Sequence, residues 1–561
     1  MRYLNNAGVV FQLITCFLFL SPAFAVTPPQ AAIATAHPLA TRAGFEVLEH
    51  GGNAFDAAVA ISAALAVVEP IGSGFGGGGF WLLHRISDGK ETMIDGRERA
   101  PLAAHRDMYL DSDGNAVPDL SINGPKASGI PGLPAALVHI AKNYGRLPLT
   151  QTLAAAVRYA REGYTVGDRY RRLVGFRRDV MRQFPASTKI FLQNGETPEQ
   201  GFILKQPDLA KTLQRVAQYG KSGFYDGITA ERLVAGVRAA GGIWTKKDLA
   251  DYRIKERQPI RSQYRGINIT SAAPPSSGGV VLTEALNILA QYDLKRVDSA
   301  IRKHLVIEAM RRAYHDRALY LGDPDFVEIP IERLLNIDYA AGLAATIRFD
   351  AALPSSSLSK FGTDAAEESH NTTHFSVLDR EGNRVAATLS INYPFGSGFV
   401  VPGTGVLLND EMDDFVSHPN QPNVYGLVGS DSNRIAPGKR MLSSMTPTFL
   451  EDKNRVAIVG TPGGSRIISM VLLSVLDFEE GKKPNDWVRT PRYHHQYLPD
   501  VIEYEPGAFS LKEIKQLAKK GHHFKMSKRG YGNMQAVLWD KAASKIYVAS
   551  DPRGEGEAQV R

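Results

Sequence analysis

The sequence predicts an α+β protein, on three observations. Helix-type patterns dominate the first two-thirds of the 561 residues, strand-and-turn patterns dominate the final third, and 43% hydrophobic with 22% charged content supplies a sizeable core. A length of this order is compatible with several domains or with one large one.

The chain opens with Arg2, an apolar run from Val9 to Leu20, Ser21-Pro22, and then Ala23-Phe24-Ala25. A short basic start, a short apolar segment and small residues before a cut describe a secretory signal over residues 1–25, removed ahead of Val26. The run falls short of the roughly 20 residues of a membrane span, and no later run is that long. An exported protein, periplasmic or secreted, with no membrane span is the expectation. The single cysteine, Cys16, lies inside this segment, so the mature chain would carry no disulfide, thiolate metal site or cysteine nucleophile.

Asn53 to Val68 is rich in Ala and Val and reads as a buried helix. The glycine run Gly72 to Gly79 follows, then a strand at Phe80-Trp81-Leu82-Leu83. Residues 134–260 read as mainly helical, with runs at Ala135 to Tyr144, Leu153 to Glu162 and Ile228 to Ala240. Pro274-Pro275-Ser276-Ser277-Gly278-Gly279 breaks this region and opens a helix over Val280 to Tyr292. Ser355 to Ser369, poor in large apolar residues, reads as an exposed loop. The pattern then changes: Thr373 to Leu378 as a strand, Asp379 to Asn383 as a turn, and Arg384 to Ile391 as the partner strand. Further strands are expected at Gly405 to Leu408 and Val456 to Val459.

Several function classes fall away. The net charge of +7 is dispersed, without a block of like charge, so a solvated basic surface outweighs a nucleic-acid site. Gly72-Ser73-Gly74-Phe75-Gly76-Gly77 matches G-x-G-x-x-G, but a helix precedes it and a strand follows, the reverse of a dinucleotide site. Gly220-Lys221-Ser222 lacks the earlier glycine of a P-loop, and no G-x-S-x-G or H-E-x-x-H occurs. His494-His495 and His522-His523 are adjacent pairs without companions at ligand spacing, so no metal is expected.

Asn371-Thr372-Thr373-His374 lies where the loop meets the first strand of the hairpin. With Phe375-Ser376-Val377, Gly382 to Asn392 and Phe395-Gly396, it resembles the signature of the γ-glutamyltransferase family. The likeness extends through Gly76 to Phe80, Asp95 to Glu98, Leu321 to Phe326, Met412 to Phe415, Leu442 to Met445 and Pro462 to Arg466.

This resemblance implies a four-layer αββα sandwich of the N-terminal-nucleophile hydrolase type, and a precursor that cuts itself between Asn371 and Thr372. A large subunit, residues 26–371, and a small one, residues 372–561, would stay together as a heterodimer. The cut matters because a threonine hydroxyl is a weak nucleophile without a base. A new α-amino group, with an ordinary pKa near 7.7–8.0, supplies one on the same residue.

By the same resemblance, Gly463 and Gly464 would offer backbone N–H groups to the oxyanion, and Ser390 stands where relatives carry a second threonine against the nucleophile. Arg97, with Ser443 and Ser444, would take the α-carboxylate of a γ-glutamyl donor, while Asn392, Glu411 and Asp414 would hold its α-ammonium. Asn420 to Gly429, with Tyr425, resembles a lid. The expected activity is γ-glutamyl transfer and glutathione hydrolysis, on glutathione and other γ-glutamyl compounds, to water or to amino acid or peptide acceptors, with no cofactor. The alternatives are a glutaryl- or cephalosporin-type acylase of the same fold and an exported binding protein that never matures.

Overall fold

The computed structural model describes residues 27–358, 372–416 and 422–561. The signal segment, Cys16, Asn371, most of the Ser355–Ser369 loop and the first residues of the lid lie outside these. Ser355, at the start of that loop, is buried rather than exposed, because its N–H donates to Asp500 (2.8 Å) and its hydroxyl meets Arg311.

Two antiparallel sheets form the centre. The first has seven strands, in the order Glu557–Val560, Ala32–Thr35, Thr373–Leu378, Arg384–Ser390, Gly78–Arg85, Lys90–Asp95 and Lys255–Arg257. The second has six, in the order Lys545–Ser550, Gln535–Asp540, Arg455–Gly460, Thr448–Glu451, Ile267–Ser271 and Ile260–Tyr264. The sequence pattern of helices first and strands last is thus only a majority description. Strands at 32–35, 78–95 and 255–271 interleave with later ones in both sheets.

Side-chain alternation places the layers. In Gly78–Arg85, Trp81 and Leu83 enter one core with the buried helix Ala54–Val68, while Phe80 and Leu82 enter a second core with strands of the other sheet. That second core is also filled by the helices Gly278–Ala290 and Ile467–Glu479. The result is helix, sheet, sheet, helix, the expected αββα order. Asn53 caps the helix Ala54–Val68 by accepting from Phe55 and Asp56 N–H groups, with Asp56 answering at the Asn53 N–H.

The glycine run serves close packing. A Cβ on Gly77 would lie 2.3 Å from the Ser390 carbonyl oxygen, so only glycine lets this segment run against the strand that ends at Ser390. Among the described residues, no helix is long and apolar enough to cross a membrane.

Candidate active site

Thr372 heads the strand Thr373–Leu378 and is buried. Along that strand Phe375 and Val377 enter the helix-side core, which turns His374 and Ser376 into the gap between the sheets. His374 Nδ1 meets Thr388 Oγ1 at 2.8 Å, and its Nε2 meets Ser376 Oγ at 3.3 Å. Burial pushes the His374 imidazole down to about 3, so it stays neutral at ordinary pH and both ring nitrogens are engaged away from Thr372. It packs the inter-sheet gap and is no base for the threonine. Gly460 faces it, where a Cβ would sit 2.3 Å from the ring.

The hairpin register pairs Leu389 with Thr373, which sets Ser390 opposite Thr372. The two hydroxyl oxygens are 3.5 Å apart. Ser390 Oγ accepts the Asn392 N–H at 2.8 Å, leaving its hydroxyl hydrogen to point elsewhere, with Thr372 Oγ1 in reach. Asn392 adopts a left-handed backbone (φ 73°), which asparagine tolerates better than most residues, and its side chain donates to the Asp410 carbonyl at 3.1 Å.

Arg97 follows the strand Lys90–Asp95, its N–H held by Asp95 at 3.0 Å. Its guanidinium meets Glu411 at 2.5 Å and Asp414 at 2.5 Å, with Glu98 at 3.7 Å. The sequence placed Arg97 and the acids as two opposed clamps; the structure makes them one ion-paired cluster. Buried carboxylates this close need a cation among them, because an unpaired buried charge is costly. Burial disfavours the charged Arg97, but Glu411, Asp414 and Glu98 outweigh it and hold the guanidinium above its ordinary value. Burial pushes the Glu411 carboxyl up to about 7, against the opposing pull of Arg97. Burial also drives Glu98 well above the usual carboxylate range, with the Glu411 charge adding to it.

Ser443 and Ser444 are fixed from behind. Ser443 N–H donates to the Pro275 carbonyl (2.8 Å), and Ser277 Oγ donates to the Ser443 carbonyl (2.7 Å). Ser443 Oγ accepts from Met445 N–H at 3.1 Å. Ser444 Oγ accepts from Arg317 Nη2 at 3.2 Å. Arg317 is a site residue that the sequence reading missed, although it stands four residues before the Leu321–Phe326 block.

The turn Pro422 to Gly429 is built by Asn423, whose Oδ1 accepts from Tyr425 and Leu427 N–H groups at 3.0 and 3.1 Å. It is clasped to the acids: Asn423 Nδ2 donates to Asp414 (3.1 Å) and Val424 N–H to Asp413 (2.9 Å). Tyr425 OH donates to the Asn392 carbonyl at 3.0 Å. The Tyr425 ring covers Gly464, where a Cβ would lie 2.6 Å from ring atoms. Gly463 (φ 146°) and Gly464 (φ 56°) both use backbone regions that favour glycine, and they open the 3₁₀ turn Gly464–Arg466.

These elements line one cavity. Thr372, Ser390, Gly464, Arg97, Asn392, Glu411, Asp414, Ser443, Ser444 and Tyr425 all line it, joined by Arg317, Leu427, Met445, Ser465 and Ile467. Gly463 does not line it but stands immediately before Gly464. A hydroxyl pair at one wall, paired charges at another and a glycine turn between them suit acyl transfer from a zwitterionic donor. Away from it, His304, Glu308 and His522 lie close enough to share an ion. Glu308 is already paired with Arg311 and Arg312, and the two imidazoles bond each other at 2.8 Å, so the group reads as a balanced hydrogen-bonded knot.

The family described as Gamma-glutamyltranspeptidase matches residues 40–560. The chain is 42% identical over 533 residues to the glutathione hydrolase proenzyme of Escherichia coli (strain K12), covering 94% of this chain and 91% of that protein. Among solved structures, it resembles the cephalosporin acylase from Bacillus halodurans, with a TM-score of 0.82 and 28% identity, covering 98% of this chain and 99% of that one. It also resembles the gamma-glutamyltranspeptidase of Helicobacter pylori, with a TM-score of 0.56 and 42% identity, covering 57% of this chain and 93% of that one.

Proposed function

The chain belongs to the gamma-glutamyltranspeptidase family, and from that premise we propose that it is an exported glutathione hydrolase and γ-glutamyltransferase that matures by cutting itself ahead of Thr372. One observation carries the reading: the Thr372 and Ser390 hydroxyls meet at 3.5 Å in a cavity that also holds Arg97, Glu411, Asp414 and Gly464.

In maturation the Thr372 hydroxyl attacks the carbonyl carbon of residue 371. The C–N bond breaks, an ester forms and the α-amino group is freed; water then hydrolyses the ester and restores the hydroxyl. In turnover that amine takes the hydroxyl proton as Thr372 Oγ1 bonds to the γ-carbonyl carbon of the donor. Gly463 and Gly464 N–H groups meet the oxyanion; one such donor is typically worth on the order of 100- to 1000-fold in rate. Collapse breaks the C–N bond, and the ammonium returns its proton to the leaving amine. Water or an acceptor amine then attacks the ester, Thr372 regains its proton, and glutamate or a new γ-glutamyl amide leaves.

Arg97, Ser443 and Ser444 take the α-carboxylate; Asn392, Glu411 and Asp414 take the α-ammonium. The acylase reading has the Bacillus halodurans likeness in its favour. Glutaryl substrates carry no α-ammonium, however, and two buried acids at that end favour the γ-glutamyl donor. The test is N-terminal sequencing of the small fragment together with turnover of γ-glutamyl and glutaryl anilides. Thr372 at the new terminus and a γ-glutamyl preference are expected; an unbroken active chain, or a glutaryl preference, overturns the reading.

A further inference from the structure

We propose that Arg317 is a specificity-determining cation of this site, which acts with Ser444 to hold the donor's α-carboxylate. The proposal rests on the γ-glutamyl reading above and deepens it.

Arg317 stands on the last turn of the helix Ser299–Tyr320, is buried, and lines the same cavity as Thr372. Its Nε donates to Ser277 Oγ at 3.0 Å and its Nη2 to Ser444 Oγ at 3.2 Å. Among the described residues it forms no ion pair. Among the other buried arginines, Arg97, Arg311, Arg312, Arg440 and Arg492 each touch a carboxylate, whereas Arg177, which also forms no ion pair, donates to the Gly396 carbonyl and lies over the Tyr393 ring. A buried cation whose contacts are all neutral hydroxyls is costly until an anion joins it. Burial lowers Arg317 to about 10, with Tyr314 and then Asp414 offsetting this only through space, so it remains charged at neutral pH.

The charge pattern around the cavity points the same way. Arg97 already has Glu411 and Asp414 at 2.5 Å and Glu98 at 3.7 Å. A carboxylate approaching Arg97 alone would meet three acids. On the Arg317 side it meets a guanidinium, plus a Ser444 hydroxyl whose oxygen already accepts from Arg317 and which keeps its hydrogen to donate. The two ends of a zwitterion thus find separate faces: the ammonium at Glu411 and Asp414, the carboxylate bridging Arg97 to Arg317 and Ser444.

The test uses the matured protein, γ-glutamyl anilide and its α-carboxamide analogue. In Arg317→Met, KM for the carboxylate donor is expected to rise about tenfold to a hundredfold, the usual range for losing a charged hydrogen-bond partner. The change in kcat is expected to be much smaller. Discrimination against the carboxamide should fall by the same factor, and Arg317→Lys should recover part of it. Unchanged discrimination in Arg317→Met overturns the inference. A wild-type protein that turns over no γ-glutamyl anilide instead removes the functional reading, and the inference with it. Should Arg317→Met yield no folded, cut protein, Arg317→Lys is measured in its place, since it keeps the charge and loses the fork that meets Ser277 and Ser444. A loss of discrimination of several-fold supports the role, and no change overturns it.

Discussion

The Tyr425 hydroxyl donates a 3.0 Å hydrogen bond to the backbone carbonyl of Asn392, just past the strand that ends in Ser390. The loop over the cavity is therefore tied to the hairpin that carries the hydroxyl pair. Tyr425→Phe keeps the ring over Gly464 and removes the hydroxyl that makes this bond. We expect KM for the donor to rise about two- to tenfold, as for one neutral hydrogen bond, with maturation unaffected. Steady-state kinetics on γ-glutamyl anilide decide it; an unchanged KM would separate loop closure from this contact.

Thr372→Ala should remain a single chain on denaturing gels and lack γ-glutamyl turnover. Two fragments of normal size in that variant would place the nucleophile elsewhere.

Gly464→Ala puts a Cβ 2.6 Å from the Tyr425 ring at a position with φ 56°. Displacing the ring and straining the turn together should cut kcat at least tenfold and cost about 1–3 kcal/mol of stability. Denaturant unfolding and kinetics on one preparation measure both, and wild-type kcat would refute the assigned role of the turn.

Glu411 sits at about 7, raised by burial and by Asp414, and lowered by Arg97 and the Ser390 hydroxyl. Only its ionised form attracts an α-ammonium, so donor KM should rise as pH falls through 7, approaching tenfold per unit. Glu411→Gln should flatten that KM profile while kcat still follows the Thr372 amine. For stability the sign is opposite. The folded value exceeds the ordinary 4.5, so the contribution is fully present below 4.5 and is lost as pH rises through 7. Wild-type melting temperature should fall over that window more than that of Glu411→Gln; parallel curves would contradict the raised carboxyl.

His374 neighbours the nucleophile in sequence yet is buried, neutral and bonded to Thr388 and Ser376. His374→Asn should lower the melting temperature without moving the pH dependence of kcat. A shifted kcat profile would make it a participant in proton transfer.

The legible parts of this fold were local. The Ala- and Val-rich run from Asn53 to Val68 announced a buried helix, and the hairpin declared itself as two strand-like runs, Thr373 to Leu378 and Arg384 to Ile391, on either side of a turn containing Gly382. The ion cluster was not legible as a cluster, because Arg97 meets Glu411 and Asp414 across 314 and 317 residues of chain. No spacing rule reaches that far; only membership of separate family blocks marked each residue. Arg317 escaped for a related reason: on its own helix it is one of several basic residues. Its meaning comes from Ser277 and Ser444, which lie on other elements. The short strand at 32–35 was hidden because its partners, Thr373–Leu378 and Glu557–Val560, come from much later in the chain, and the strand at 255–257 because its partner, Lys90–Asp95, lies far before it.

The strand Thr373–Leu378 is hydrogen-bonded on one side to Ala32–Thr35, which in turn pairs with Glu557–Val560. Once the backbone is severed ahead of Thr372, two polypeptides are woven through one sheet, and neither can leave without tearing it. Melting the cut enzyme then becomes a dissociation. Its recovery after denaturation should slow on dilution, whereas the uncut Thr372→Ala chain should refold at a rate independent of concentration.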